Sequence, residues 1–119
     1  MEMNAPRDLK NRTKGLALRV IRMFARLPKT TVAQVLGKQV LRPATSVGAN
    51  YREADEGRSK AEFIAKMGDS LRELSETEYW LELLVESEIV KPDAMSPLLT
   101  ETRELKAIFA TIIRKARST

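Results

Sequence analysis

The stretch GRSKAEFIAKMGDSLREL, residues 57–74, decides the fold. Gly57 reads as a helix stop, because glycine takes up the left-handed backbone that ends helices at little steric cost. Ser59 and Glu62 follow with capping-box spacing, in which a hydroxyl accepts from the amide three residues on and a carboxylate reaches back to the helix start. Phe63, Met67, Leu71 and Leu74 then recur at intervals of three and four, and Leu81 and Val85 continue the same side. One helix therefore ends at about Glu56 and another runs from Ser59 to about Ser87.

Working back toward the N-terminus, a second helix is predicted from Thr30 or Thr31, either of which can cap it. Its expected inner face is Val32, Leu36, Val40, Val47 and Ala54, with Gln39, Ser46 and Asn50 sharing that face. Pro43 lies inside it, and a proline there removes one backbone hydrogen bond and crowds the preceding turn, so a kink or short break near residues 39–43 is expected. The first helix is predicted from about Asp8 to Leu27, where Pro28 stops it. Its stripe is Leu9, Thr13, Leu16, Ala17, Val20, Phe24 and Leu27. Pro6 flanks its start. The fourth helix opens either at Lys91-Pro92 or at Ser96-Pro97. Met95, Leu98, Thr102, Leu105, Ile108, Phe109, Ile112, Ile113 and Ala116 give its stripe, and Arg114, Lys115 and Arg117 suit its C-terminal dipole. No period-2 alternation appears. The expected architecture is all-α: an antiparallel up-down four-helix bundle in one domain, residues 1–119.

Composition narrows the chemistry. The chain has no Cys and no His, which removes disulfides, thiolate chemistry, the commonest metal ligand and the usual partner of a serine nucleophile. Every Gly is isolated, so no phosphate-cradling glycine loop is present. No catalytic set, metal site or cofactor is expected. No apolar run nears the roughly 20 residues needed to cross a bilayer, and the polar stretch from Met1 to Arg12 lacks the apolar region of a signal peptide. A cytoplasmic protein is the plain expectation.

Charge is unevenly placed. Residues 1–60 carry 13 Lys/Arg and 5 Asp/Glu, whereas residues 61–119 carry 8 and 11. Arg12, Arg19, Arg22 and Arg26 share one flank of the first helix, and Lys29 extends the line past Pro28. Such a track suits phosphate, because the guanidinium fork matches its oxygens. The competing reading pairs these arginines with Glu62, Asp69, Glu73 and Glu76, which form an acidic stripe on the third helix. A second constellation, Ser46, Asn50, Glu53 and Glu78, reads as a buried polar network, with Arg42 or Arg52 as the partner of Glu78. A third is apolar: Leu18, Leu41, Trp80 and Leu83 are expected to point away from their helices' core stripes, which marks an oligomer interface.

The segments Thr45-Ser46-Val47-Gly48-Ala49-Asn50-Tyr51-Arg52-Glu53-Ala54, Arg58-Ser59-Lys60-Ala61-Glu62-Phe63-Ile64-Ala65-Lys66 and Glu76-Thr77-Glu78-Tyr79-Trp80-Leu81-Glu82-Leu83-Leu84 resemble, in that order, the bacterial 23S ribosomal RNA intervening-sequence proteins. That resemblance implies antiparallel four-helix bundles assembled as a ring of five, a cytosolic protein without known catalytic activity, and RNA binding. It also implies the fold of the accessory variability determinant of diversity-generating retroelements, a basic pentamer that partners a reverse transcriptase and nucleic acid. Two functions from different classes follow. One is a pentameric RNA- or polyanion-binding scaffold working through the first-helix arginines. The other is a protein–protein adaptor, an accessory subunit of a reverse transcriptase or other nucleic-acid enzyme, docking through Trp80, Leu83, Glu73 and Glu76.

Overall fold

The computed structural model describes residues 8–119, which form four α-helices and no strand: α1 (Leu9–Arg26), α2 (Thr31–Asp55), α3 (Lys60–Glu86) and α4 (Pro92–Arg117). Pro6 lies outside the described residues. The caps act as the sequence predicts. The Thr30 hydroxyl accepts from the Ala33 amide (3.3 Å), and the Ser59 hydroxyl accepts from the Glu62 amide (3.0 Å). The Glu62 carboxylate closes the box on the Arg58 amide at 2.7 Å, one residue before the cap itself. Of the two openings for α4, the earlier is used, with Pro92 at the first helical position and Pro97 inside the helix.

The helices run antiparallel. Between α2 and α3, Ser70 Oγ donates to the Val47 carbonyl (2.9 Å), Lys66 meets Glu53 (2.6 Å) and Arg42 meets Glu76 (3.3 Å). Partner numbers fall on one helix as they rise on the other. Along the chain each helix packs on the next, α1 and α4 close the bundle through a lighter contact, and α1/α3 and α2/α4 are the diagonals. The result is an elongated body of 48 × 23 × 20 Å.

Leu16, Val20, Val40, Val47, Met67, Leu74, Leu81, Leu84, Met95, Leu105 and Phe109 fill the core, with the Tyr51 ring 5.8 Å from that of Phe109. The buried threonine hydroxyls return to their own helix: Thr13 Oγ1 donates to the Leu9 carbonyl (2.6 Å), Thr77 Oγ1 to that of Glu73 (2.8 Å) and Thr102 Oγ1 to that of Leu98 (2.8 Å). Their polar atoms are thus satisfied without a network between helices.

Two expectations for α2 are corrected. Its inner face is turned toward Ala33, Gly37, Val40, Ala44 and Val47, while Val32 is 59% exposed and Gln39 is exposed. The reason is close packing. A Cβ on Gly37 would sit 2.5 Å from Phe24 Cδ1 and 2.6 Å from Leu27 Cδ1, so the absence of a side chain there lets α1 lie directly on α2. Small residues, carrying little hydrophobic weight, define that face. The helix also runs unbroken through Pro43, whose ring is buried.

Candidate nucleic-acid interface

The arginine stripe of α1 is split by what α4 sets against it. At one end Arg12 is bound by two carboxylates. Its Nε donates to Glu101 Oε2 at 2.9 Å and its Nη2 to Glu101 Oε1 at 2.7 Å, and Nη2 also reaches Glu104. The fork-to-fork geometry with Glu101 raises the arginine's affinity for its proton and ties α1 to α4. The pairing expected with the acidic stripe of α3 does not form, because α1 and α3 sit diagonally across the bundle.

Toward the other end, Arg19, Arg22 and Arg26 are exposed and make no ion pair among the described residues. Opposite them stand Ala94 and Pro97 of α4 and Lys91 just before it, and no acid lines the space between. The helices part here and leave a groove of about 540 Å³. Met23, Leu27, Ile89, Val90, Met95 and Leu98 make its apolar walls, Arg19, Arg22, Arg26 and Lys91 its rim, and no carboxylate lines it. Lys29, on the turn after α1, is also exposed and unpaired among the described residues but does not line the groove.

The α3–α4 turn that closes one side has an unusual build. The Ile89 and Val90 amides both donate to the Leu84 carbonyl at 3.0 Å, which requires Glu88 to take a left-handed conformation (φ 65°). This is a helix-ending turn made without the usual glycine, so no residue signal announced it. It presents Ile89 and Val90 to the groove.

The predicted buried network is not assembled. Ser46 Oγ donates to the Arg42 carbonyl of its own helix (2.8 Å). Asn50 is half-buried, and Glu53 is exposed and paired with Lys66. Glu78 instead faces α4, where Lys106 Nζ and Arg103 Nε each donate to it at 2.6 Å. Those bonds, Lys106's first, hold its carboxyl below the usual carboxylate range. Arg103 also reaches Glu82 at 2.9 Å. Glu73 behaves oppositely. Burial, reinforced by Glu76, pushes its carboxyl up, and its Oε1 is buried without a hydrogen-bond partner.

Of the residues expected to face outward, Leu18 is exposed and Leu83 is half-buried. Leu41 and Trp80 differ from expectation: both pack partly against the core. Trp80 lies edge-on to Tyr79 with ring centres 5.0 Å apart, and its indole Nε1 is buried without an acceptor. Ile21, Val32, Val35 and Tyr79 are the further large apolar residues left exposed.

Among the described residues there is no group of three or more acidic side chains placed to hold a metal ion, and no helix long and apolar enough to cross a membrane. Comparison with functionally curated proteins gives no match. A solved structure, a protein of unknown function from the S23 ribosomal protein family of Bacteroides thetaiotaomicron VPI-5482, is 35% identical and superposes with a TM-score of 0.82. The match covers 88% of this chain and 94% of that one. The family described as 23S rRNA-intervening sequence protein matches residues 7–111, and neither description names an enzymatic activity. This chain belongs to the family of 23S rRNA-intervening sequence proteins.

Proposed function

We propose that the protein is a non-catalytic cytoplasmic scaffold of one domain, a homo-oligomer built as a ring of five, that binds RNA or a similar polyanion along the open end of the α1 arginine stripe. One observation carries this reading. Arg19, Arg22 and Arg26 stand exposed on one flank without carboxylate partners among the described residues, and Lys91 adds a fourth positive charge across the groove. By contrast, Lys10, Arg12, Arg42, Lys66, Arg72, Arg103 and Lys106 are held by carboxylates, Arg12 and Arg103 most fully. Unpaired cations grouped on one edge are the electrostatic footprint of a phosphate backbone. Repetition around a ring would multiply weak single contacts through effective concentration. The exposed Leu18, Ile21, Val32, Val35 and Tyr79 supply apolar surface for association. Kinship of fold with the accessory variability determinant belongs to the same reading.

A second reading, the adaptor, draws on the acidic flank of α3. There Glu73 Oε1 and Trp80 Nε1 are buried without partners, two turns apart. It predicts that charge reversal of Glu73 and Glu76 abolishes capture of a basic protein and leaves RNA binding intact.

The test of the first reading is a gel-shift titration with mixed RNA at about 50 and 200 mM salt, a range over which phosphate contacts weaken steeply. It is paired with solution mass from light scattering. Binding at the lower salt by a species five times the chain mass is expected. Absence of binding there removes the RNA reading, and a monomer at micromolar concentration removes the ring.

A further inference from the structure

The groove holds more apolar surface than phosphate binding needs. Phosphates would be served by Arg19, Arg22, Arg26 and Lys91 on an otherwise flat face. Here those cations rim a recess of about 540 Å³ walled by Met23, Leu27, Ile89, Val90, Met95 and Leu98. That volume lies in the range of small-ligand sites, roughly 300–1,000 Å³. We infer that the groove takes unstacked bases of single-stranded RNA, with the rim cations on the adjoining phosphates, and that it selects single strands over duplex. This rests on the RNA reading above and adds to it the form of the nucleic acid.

Three features argue for it. First, a duplex keeps its bases stacked inside and offers the protein only phosphates, sugars and groove edges, so it would leave the apolar walls uncovered. A splayed base has two apolar faces that can lie on them. Second, the rim is cationic throughout, with no carboxylate to repel a phosphate. Arg19 to Arg26 spans roughly 10 Å of helix at 1.5 Å per residue. Guanidinium planes also stack on bases, which leaves these arginines suited to both parts of a nucleotide. Third, the recess is bounded on several sides. The α1–α2 turn contributes Leu27 and Pro28, the α3–α4 turn Ile89 and Val90, and the Arg12–Glu101–Glu104 cluster draws α1 and α4 together beyond it. A recess bounded in this way receives a protruding group. A docked acidic helix, which needs a continuous trough for anchors two turns apart, would meet these walls.

Ala94 gives the direct test, because it is exposed on α4 yet lines the groove. Fluorescence anisotropy at low salt would compare three labelled probes of equal phosphate number: a single-stranded RNA, its duplex, and an abasic single strand. The single strand is expected to bind at least tenfold more tightly than the other two. Ala94→Trp, which fills the recess, should lower single-strand affinity to the level of the abasic strand and leave duplex binding unchanged. Ala94→Gln, at the same exposed position and smaller, should give an intermediate loss should the Trp variant melt early. Equal affinity for all three probes, or an Ala94→Trp protein that keeps its preference, overturns the base-binding groove and leaves polyanion binding standing. Displacement of the strand by polyglutamate as readily, charge for charge, as by unlabelled RNA also overturns it. No binding of any probe overturns the RNA reading itself.

Discussion

The two ends of one arginine stripe make opposite use of the same side chain. Near the start of α1, Arg12 faces Glu101 and Glu104, and the bonds between them join α1 to α4. Two turns on, Arg19, Arg22 and Arg26 face Lys91, Ala94 and Pro97, and the helices stand apart. Periodicity is unbroken along α1, so the difference lies wholly in α4. Acids there convert an arginine into a strut, and their absence leaves it free for an outside anion. A surface charge earns a functional reading only when its neighbours fail to neutralise it.

The largest expected effect separates the two ends by binding. Replacing Arg19, Arg22 and Arg26 together with Ala should lower RNA affinity by about three orders of magnitude, taking roughly 1.4 kcal/mol, or tenfold, per charge-assisted contact. Melting temperature should hardly change, since exposed unpaired side chains alter stability by about 0.5 kcal/mol or less. Arg12→Ala should do the reverse. It leaves Glu101, whose side chain is only 19% exposed, without its partner. Denaturant unfolding should record a loss of about 1–3 kcal/mol, the range for stranding a largely buried polar group, with RNA affinity close to wild type.

The same logic applies to two carboxylates on α3. Glu78 accepts from Lys106 and Arg103, so its folded pKa lies below the unfolded value. The stability it adds is complete above the unfolded pKa near 4.5 and is lost as pH falls through the folded value. Glu78→Gln should therefore cost about 1 kcal/mol at neutral pH, discounted for the half-exposed Arg103, and little in acid. Glu73 is raised, so its favourable contribution exists below the unfolded pKa and disappears as pH rises through the folded one. Glu73→Gln should melt higher than wild type at neutral pH, and the gap should close as the solution is acidified below 4.5. Thermal melts across pH 3–8 with both variants check the opposite signs.

The smallest effect sharpens the groove wall. Glu88→Gly removes the steric penalty of a left-handed residue without a glycine and should stabilise by about 0.5–1 kcal/mol in thermal unfolding.

The first three helix boundaries were legible because local chemistry writes them: Pro28, Thr30 and the Ser59–Glu62 box each act on residues within a turn, whereas Pro92 and Pro97 offered the fourth helix two equal openings. The stripes of α1 and α4 were legible for the same reason, as large side chains at helical intervals. The face of α2 was not, because Ala33, Gly37 and Ala44 bury by letting another backbone come close, and a count of bulky residues points to Val32 instead. Charge partners were the least legible. Arg12 had carboxylates of suitable spacing on both α3 and α4, and Glu78 had arginines on both α2 and α4. Which helix is the neighbour and which the diagonal decides the pairing, and that is fixed by packing rather than by any local pattern. The groove depends on this too, together with a left-handed Glu88 that no glycine signals.

The salt dependence of RNA affinity, compared between wild type, Arg12→Ala and the Arg19/Arg22/Arg26 triple alanine variant, puts the division of the stripe to the most direct trial. For single strands each phosphate contact contributes about 0.7 to the slope of log affinity against log salt, so the triple variant should lose about 2 units. Arg12→Ala should keep the wild-type slope. A triple variant with an unchanged slope, or an Arg12→Ala protein that loses as much, would contradict it.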